Sequence, residues 1–155
     1  MVSWPRGETQ FGWRASIATI ARSGDFSLFP GVDRVITLLQ GDRVELRSSG
    51  QLLQTLRLNQ PFSFLGELPV TATLSGATSL DFNIMTRRDQ YHHAVVVTDA
   101  AQRSEMGVCW VISGEWQCGT TRLQAGGGAW GQGDGAPRTP LFARAFLPFA
   151  ANSPP

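Results

Sequence analysis

Polar and apolar positions alternate along this chain in short runs, and Gly, Pro, Asn or Ser closes each run after about 8–12 residues. A period of two sends successive side chains to opposite faces of a strand, and helical spacing is hard to find anywhere. Strands are expected at 12–20, 35–40, 43–48, 52–58, 61–65, 70–75, 79–87, 92–98, 107–112, 115–119, 121–124, 128–131 and 141–147. Gln40-Gly41-Asp42, Ser48-Ser49-Gly50, Asn59-Gln60-Pro61 and Ser75-Gly76 supply turns. One helical turn is expected near 99–105, a loose stretch at 125–140 and a tail at 152–155. The rhythm is that of an all-β sandwich or barrel.

The strand-and-turn pattern occurs twice. Val35-Ile36-Thr37-Leu38-Leu39-Gln40-Gly41-Asp42-Arg43-Val44-Glu45-Leu46 aligns without gaps on Val108-Cys109-Trp110-Val111-Ile112-Ser113-Gly114-Glu115-Trp116-Gln117-Cys118-Gly119. Each copy continues through a polar turn into an aromatic strand, Phe62-Ser63-Phe64 and Ala129-Trp130, and closes on an apolar strand, 80–85 and 141–147. Such a duplication predicts two small antiparallel barrels packed together, residues 1–88 and 89–155. In the second copy, a two-residue Ser113-Gly114 turn would pair Ile112 with Glu115 and Cys109 with Cys118. A cross-strand disulfide is then geometrically possible, but two reduced core thiols are the expected state in a cytoplasmic protein.

Composition narrows the function. At 155 residues, 42% apolar and 16% charged, the chain can bury an ordinary core without metals or disulfides. A net charge of +1 offers no field for gathering nucleic acid or an anionic membrane. No apolar run approaches the roughly 18 residues of a membrane span, and residues 1–6 lack a signal peptide's apolar core. A cytoplasmic monomer or homodimer is expected. All thirteen basic residues are arginine, which favours bidentate grips wherever one faces a ligand.

The motifs Trp13-Arg14-Ala15-Ser16-Ile17-Ala18, Gly24-Asp25-Phe26-Ser27-Leu28-Phe29-Pro30-Gly31-Val32-Asp33-Arg34, Pro61-Phe62-Ser63-Phe64 and Asp81-Phe82-Asn83-Ile84-Met85-Thr86-Arg87-Arg88 fall in order across 13–88. As a set they resemble the HutD/Ves family, most closely its Ves branch. The resemblance implies a cupin fold with two barrels, or double-stranded β-helices, in one chain: an all-β bicupin. It also implies a bacterial protein linked to histidine utilisation or stress. Trp4-Pro5-Arg6-Gly7-Glu8-Thr9 looks like a shortened form of the family's first motif, and the strand after it is expected to be missing. That would leave one edge of the first barrel uncovered.

Many cupins hold a metal through paired histidines, an acid and a final histidine. Here Phe26 and Leu28 stand where the histidine pair would be, Asp33 where the acid would be, and Val70 or Thr71 near the last position. That set cannot surround a divalent ion, so neither metal nor cofactor is expected. His92 and His93 are adjacent and point to opposite faces of a strand. No Gly-x-Ser-x-Gly elbow is present.

Alternation does assemble one polar set. Arg14 and Ser16 share a strand face, with Trp13, Ala15 and Ile17 opposite. Asp81, Asn83 and Met85 share another, and Arg34 begins the strand after the Pro30-Gly31 turn. If Arg14, Ser16, Arg34, Asp81 and Asn83 converge, with Trp13 and Phe29 as walls, they make a pocket for a small carboxylate-bearing ligand. The same Arg–Asp pair could instead simply tie the open end of a barrel. The expectation is a metal-free binding or regulatory accessory for an organic acid, with urocanate or formiminoglutamate suggested by the resemblance. One alternative is a metal-independent isomerase or hydrolase using Asp81 or Asp33 as general base. Another is an interaction scaffold, which would carry a large exposed apolar patch and no polar pocket.

Overall fold

A computed structural model of the protein describes residues 1–102, 106–132, 139–140 and 147–151. The chain forms two compact units, Met1–Gln90 and Tyr91–Pro155. All regular structure among the described residues is β-strand, as the alternation predicts.

In the first unit the strands are β1 (Val2–Trp4), β2 (Trp13–Ile20), β3 (Gly24–Asp25), β4 (Val32–Gln40), β5 (Val44–Ser48), β6 (Gln51–Leu56), β7 (Pro61–Leu65), β8 (Thr71–Leu74) and β9 (Ser79–Arg87). They build a five-stranded sheet in the order β1-β2-β9-β4-β7 and a four-stranded sheet in the order β3-β8-β5-β6. The pairings are antiparallel throughout. Ile20, Ile36, Leu38 and Phe64 from the larger sheet pack with Val44, Leu46, Leu56 and Ala72 from the smaller one. β9 lies at the centre of its sheet, and Asp81–Thr86 are buried without interruption, so both of its faces are covered. The polar positions of its alternation, Asp81, Asn83 and Thr86, are therefore buried along with the apolar ones.

The second unit contains β10 (Tyr91–His93), β11 (Met106–Trp110), β12 (Glu115–Cys118), β13 (Thr121–Gln124), β14 (Gly128–Gln132), β15 (Thr139–Pro140) and β16 (Leu147–Ala151). Its sheets run β10-β16-β11-β14 and β13-β12-β15. Substituting β10, β16, β11 and β14 for β2, β9, β4 and β7 reproduces the larger sheet of the first unit without its edge strand β1. Substituting β15, β12 and β13 for β8, β5 and β6 reproduces the smaller one without its edge strand β3. The repeat seen in the sequence is therefore a repeat of connectivity. Among the described residues both units are pairs of open sheets, not the closed barrels expected.

Four local expectations are corrected. First, Val2–Trp4 forms a strand on Trp13–Ala15, so the sheet edge expected to be bare is covered over the first part of β2. The pairing residues lie just ahead of the shortened motif and share only Trp4 with it, and the Gly12 N–H donates to the Trp4 carbonyl at 2.7 Å, closing the loop between the strands.

Second, no hairpin joins β11 to β12. The Val111 N–H is taken by the Gly127 carbonyl and the Gly126 N–H by the Val111 carbonyl, so the chain leaves one sheet at Val111 and enters the other. Cys109 and Cys118 are free thiols packed in one cluster with Val111 and Trp116, and burial pushes the Cys109 thiol up to about 11.

Third, the ungapped repeat slips after its glycine turn. Val44 and Trp116 both face a core, although Val44 lies three residues beyond Gly41 and Trp116 only two beyond Gly114. A one-residue difference in the turn preserves which face points inward.

Fourth, of the run 92–98 only His92 and His93 belong to a strand, β10, and Val96 makes an isolated bridge beyond it. Residues 99–102 form no helical turn. Residues 103–105, the strand expected at 141–147 except Leu147, and the tail 152–155 lie outside the described residues.

Candidate functional site

Three rows of residues cross the inward face of the larger sheet. Registers place Arg14 opposite Met85 opposite Arg34, then Ser16 opposite Asn83 opposite Ile36, then Ala18 opposite Asp81 opposite Leu38. Because side chains alternate, all nine point to the same side. Ile36 and Leu38 fill core. The polar members open into a cavity of about 610 Å³, which Arg14, Ser16, Phe26, Phe29, Arg34, Asp81 and Asn83 help to line.

The loop before β4 supplies the aromatic wall. The Phe26 N–H donates to the Val70 carbonyl and the Phe29 N–H to the Gly66 carbonyl, both at 2.8 Å. Gly66 has to be glycine, since a Cβ there would sit 2.4 Å from the Phe29 carbonyl oxygen and 2.8 Å from that of Val32. This close approach fixes Phe26 and Phe29 above Arg34. Its guanidinium carbon lies 4.8 Å from the Phe64 ring centre, 5.3 Å from that of Phe26 and 5.5 Å from that of Phe29.

Arg34 is buried. Its Nη1 donates to the Ser27 carbonyl and its Nη2 to Asn83 Oδ1, each at 3.2 Å, while Nε has no protein acceptor. Asn83 passes the connection on, donating from Nδ2 to Asp81 Oδ2. Arg34, Asn83 and Asp81 thus form a chain in which the amide orientation is set by a donor on one side and an acceptor on the other. Burial pushes the Asp81 carboxyl up to about 7 against the opposing pulls of Arg34 and Asn83. Burial also lowers Arg34 to about 10, with Asp81 working against that shift and Arg14 adding to it. Arg34 is still cationic at neutral pH.

Arg14 differs. Its guanidinium carbon sits 4.5 Å from the Phe11 ring centre and 5.1 Å from that of Phe29, and Nη2 meets the Met85 sulfur at 3.3 Å. A thioether is a weak acceptor. Among the described residues no carboxylate pairs with Arg14, and burial lowers its pKa. The result is a cation held by aromatic faces at the edge of a cavity.

Of the residues expected from the sequence, Arg14, Ser16, Phe29, Arg34, Asp81 and Asn83 meet in this cavity. Trp13 does not. It precedes Arg14 on β2 and therefore points to the opposite face, where it is 1% exposed. Asp33 is likewise off the site, one residue before Arg34, and it accepts from Arg88 Nε at 2.8 Å. It is thus removed as a candidate base. Phe11 and the Ser27 carbonyl are participants that sequence reasoning missed. Neither lies on a strand, so alternation carries no signal for them. Phe26 and Leu28 offer no donor atoms, and among the described residues no three His, Cys, Asp or Glu side chains gather as a metal site.

The HutD family profile matches residues 1–146. The chain belongs to the HutD family. Among its HutD-family relatives, Protein Ves of Citrobacter koseri is 51% identical over 130 residues, covering 81% of this chain and 68% of that protein. Protein Ves of Cronobacter sakazakii is 48% identical over 126 residues, 79% and 70% of the two chains. The structure of HutD from Pseudomonas fluorescens SBW25, obtained in a formate condition, superposes with a TM-score of 0.79 at 27% identity. It covers 92% of this chain and 81% of that one. The conserved protein of unknown function PA5104 from Pseudomonas aeruginosa PAO1 shares the HutD-family fold, with a TM-score of 0.75 at 22% identity over 92% and 85% of the chains.

Proposed function

We propose that this chain is a duplicated cupin-type binding protein that holds a small organic acid in its first unit, as a sensor or buffer of that acid. The observation that carries the reading is Arg14, a guanidinium stacked on Phe11 and Phe29 whose hydrogen-bonding partner is a thioether. A cation in an aromatic cavity without a carboxylate partner gains most from an incoming anion, because no internal ion pair has to be broken. Arg34 is a less available grip, since Asn83 and Ser27 already occupy two of its nitrogens. Membership of the HutD family makes intermediates of histidine degradation, urocanate and formiminoglutamate, the acids to try first. The smallest carboxylate, formate, belongs beside them, given the condition in which the Pseudomonas fluorescens HutD structure was obtained.

Calorimetric titration with those three acids tests the reading. One of them is expected to bind without being consumed, and Arg14→Met is expected to weaken it about 10–100-fold, the size of a lost charge-assisted hydrogen bond. Failure of every carboxylate to bind the folded protein would end the proposal.

A second reading draws support from Asp81. A buried carboxyl at about 7 titrates where a general base works best. Turnover of a bound acid that disappears in Asp81→Asn would favour an enzyme over a sensor.

A further inference from the structure

The cavity has two chemically different ends. At one end the Arg14–Met85–Arg34 row presents an available cation. Two rows along β9, Asp81 presents a carboxylate. Four residues of strand separate Asp81 from Met85, about 13 Å at the usual rise. One oxygen of Asp81 accepts from Asn83, and the orientation of that amide is locked by Arg34. Among the described residues no protein donor reaches the other oxygen, and Asp81 lines the cavity. A ligand's own carboxylate would be repelled there and drawn to Arg14. What the Asp81 end lacks is a proton donor.

Resting on the anion-site reading, we propose that the pocket selects acids that carry, at the end remote from the carboxylate, an N–H group donated to Asp81. The aromatic wall of Phe26 and Phe29 adds a preference for a flat, unsaturated body between the two ends. A ligand of this class would satisfy Arg14 and the open oxygen of Asp81 together. An acid lacking the N–H leaves an acceptor buried and unpaired, which a site rejects more strongly than it rewards a fit.

The test is a pair of acids differing in one atom: 3-(pyrrol-3-yl)propionate, with a ring N–H, and 3-(furan-3-yl)propionate, with a ring oxygen in its place. Titrated at pH 8, the pyrrole acid is expected to bind about tenfold or more tightly. In Asp81→Leu the preference is expected to fall below twofold, while a carboxylate still binds at Arg14. Thermal unfolding checks that the variant is folded, and the wild-type comparison decides the matter if it is not. Equal binding of the two acids by the wild-type protein overturns the selectivity and leaves the anion site standing. If neither acid binds while urocanate, formiminoglutamate or formate does, the selectivity is overturned and the anion site stands; if no carboxylate binds, both proposals are overturned.

Discussion

In the first unit, Arg34 stands on the strand between β9 and β7. In the second, the strand with the same neighbours, β11, has Gly107 at the matching position, opposite Pro148 of β16 and Gly131 of β14. One residue pair further inward, Ile36 matches Cys109, a thiol in the small cluster built around Trp116. Connectivity is shared, but the polar groups of the cavity are not matched along β11. Strand order is encoded by apolar alternation and turn placement, which tolerate wide changes of residue type. A binding site needs particular atoms at particular registers. One copy can therefore keep the scaffold without the chemistry, which is why shared architecture says little about activity.

The comparison can be broken at several points. The largest stability effect is expected at Trp116, the biggest fully buried side chain among the described residues of the second unit. Trp116→Ala should cost about 3–5 kcal/mol in denaturant unfolding. Acid affinity of the molecules that remain folded should stay within twofold if the first unit alone carries the site. Gly66→Ala comes next, at about 2 kcal/mol or more, because the new Cβ meets backbone oxygens that cannot swing aside. This variant, unlike the first, should also lose acid binding as Phe29 is displaced.

A smaller effect follows from Asp81. Its carboxyl titrates near 7 in the folded chain and near 3.8 in the unfolded one, so the native state holds the extra proton between those values. Stability from this group is full below the unfolded value and is lost as pH rises through about 7. Between pH 6 and 8 the loss should be about 1–1.5 kcal/mol, visible as a falling melting temperature, and Asp81→Asn should flatten that slope. Smallest of all is Asp33→Asn, which should leave acid affinity within twofold, since Asp33 faces Arg88 on the other side of β4. A large loss there would mean that the two faces of the sheet are not separate.

Much of this was legible in the sequence, and for identifiable reasons. The expected bounds of β7, β9 and β13 match the structure because turn residues bracket them: Pro61 opens β7, Ser75-Gly76 precedes β9, and Gly119 precedes β13. Alternation also brought Arg14, Ser16, Asp81 and Asn83 to one face. The same rule already placed Trp13 on the other face, so its inclusion as a wall ran against the pattern. Links between sheets were not legible. The turns at Gly41 and Gly114 look like hairpin turns, yet each passes the chain to a different sheet, a choice made by partners distant in sequence such as Gly126 and Gly127. Loop residues were hidden for the same reason. Phe11 reaches Arg14 through a loop whose course no local period describes.

The Met85 sulfur beside Arg14 bears on rates as well as affinity. Where an arginine is clamped by a carboxylate, a ligand must wait for that pair to part, and the wait appears in the association rate. Arg14 leans on a partner that gives way at little cost. Capture should therefore be quick and nearly independent of temperature beyond solvent viscosity, and differences in affinity between acids should appear as differences in how long each one stays.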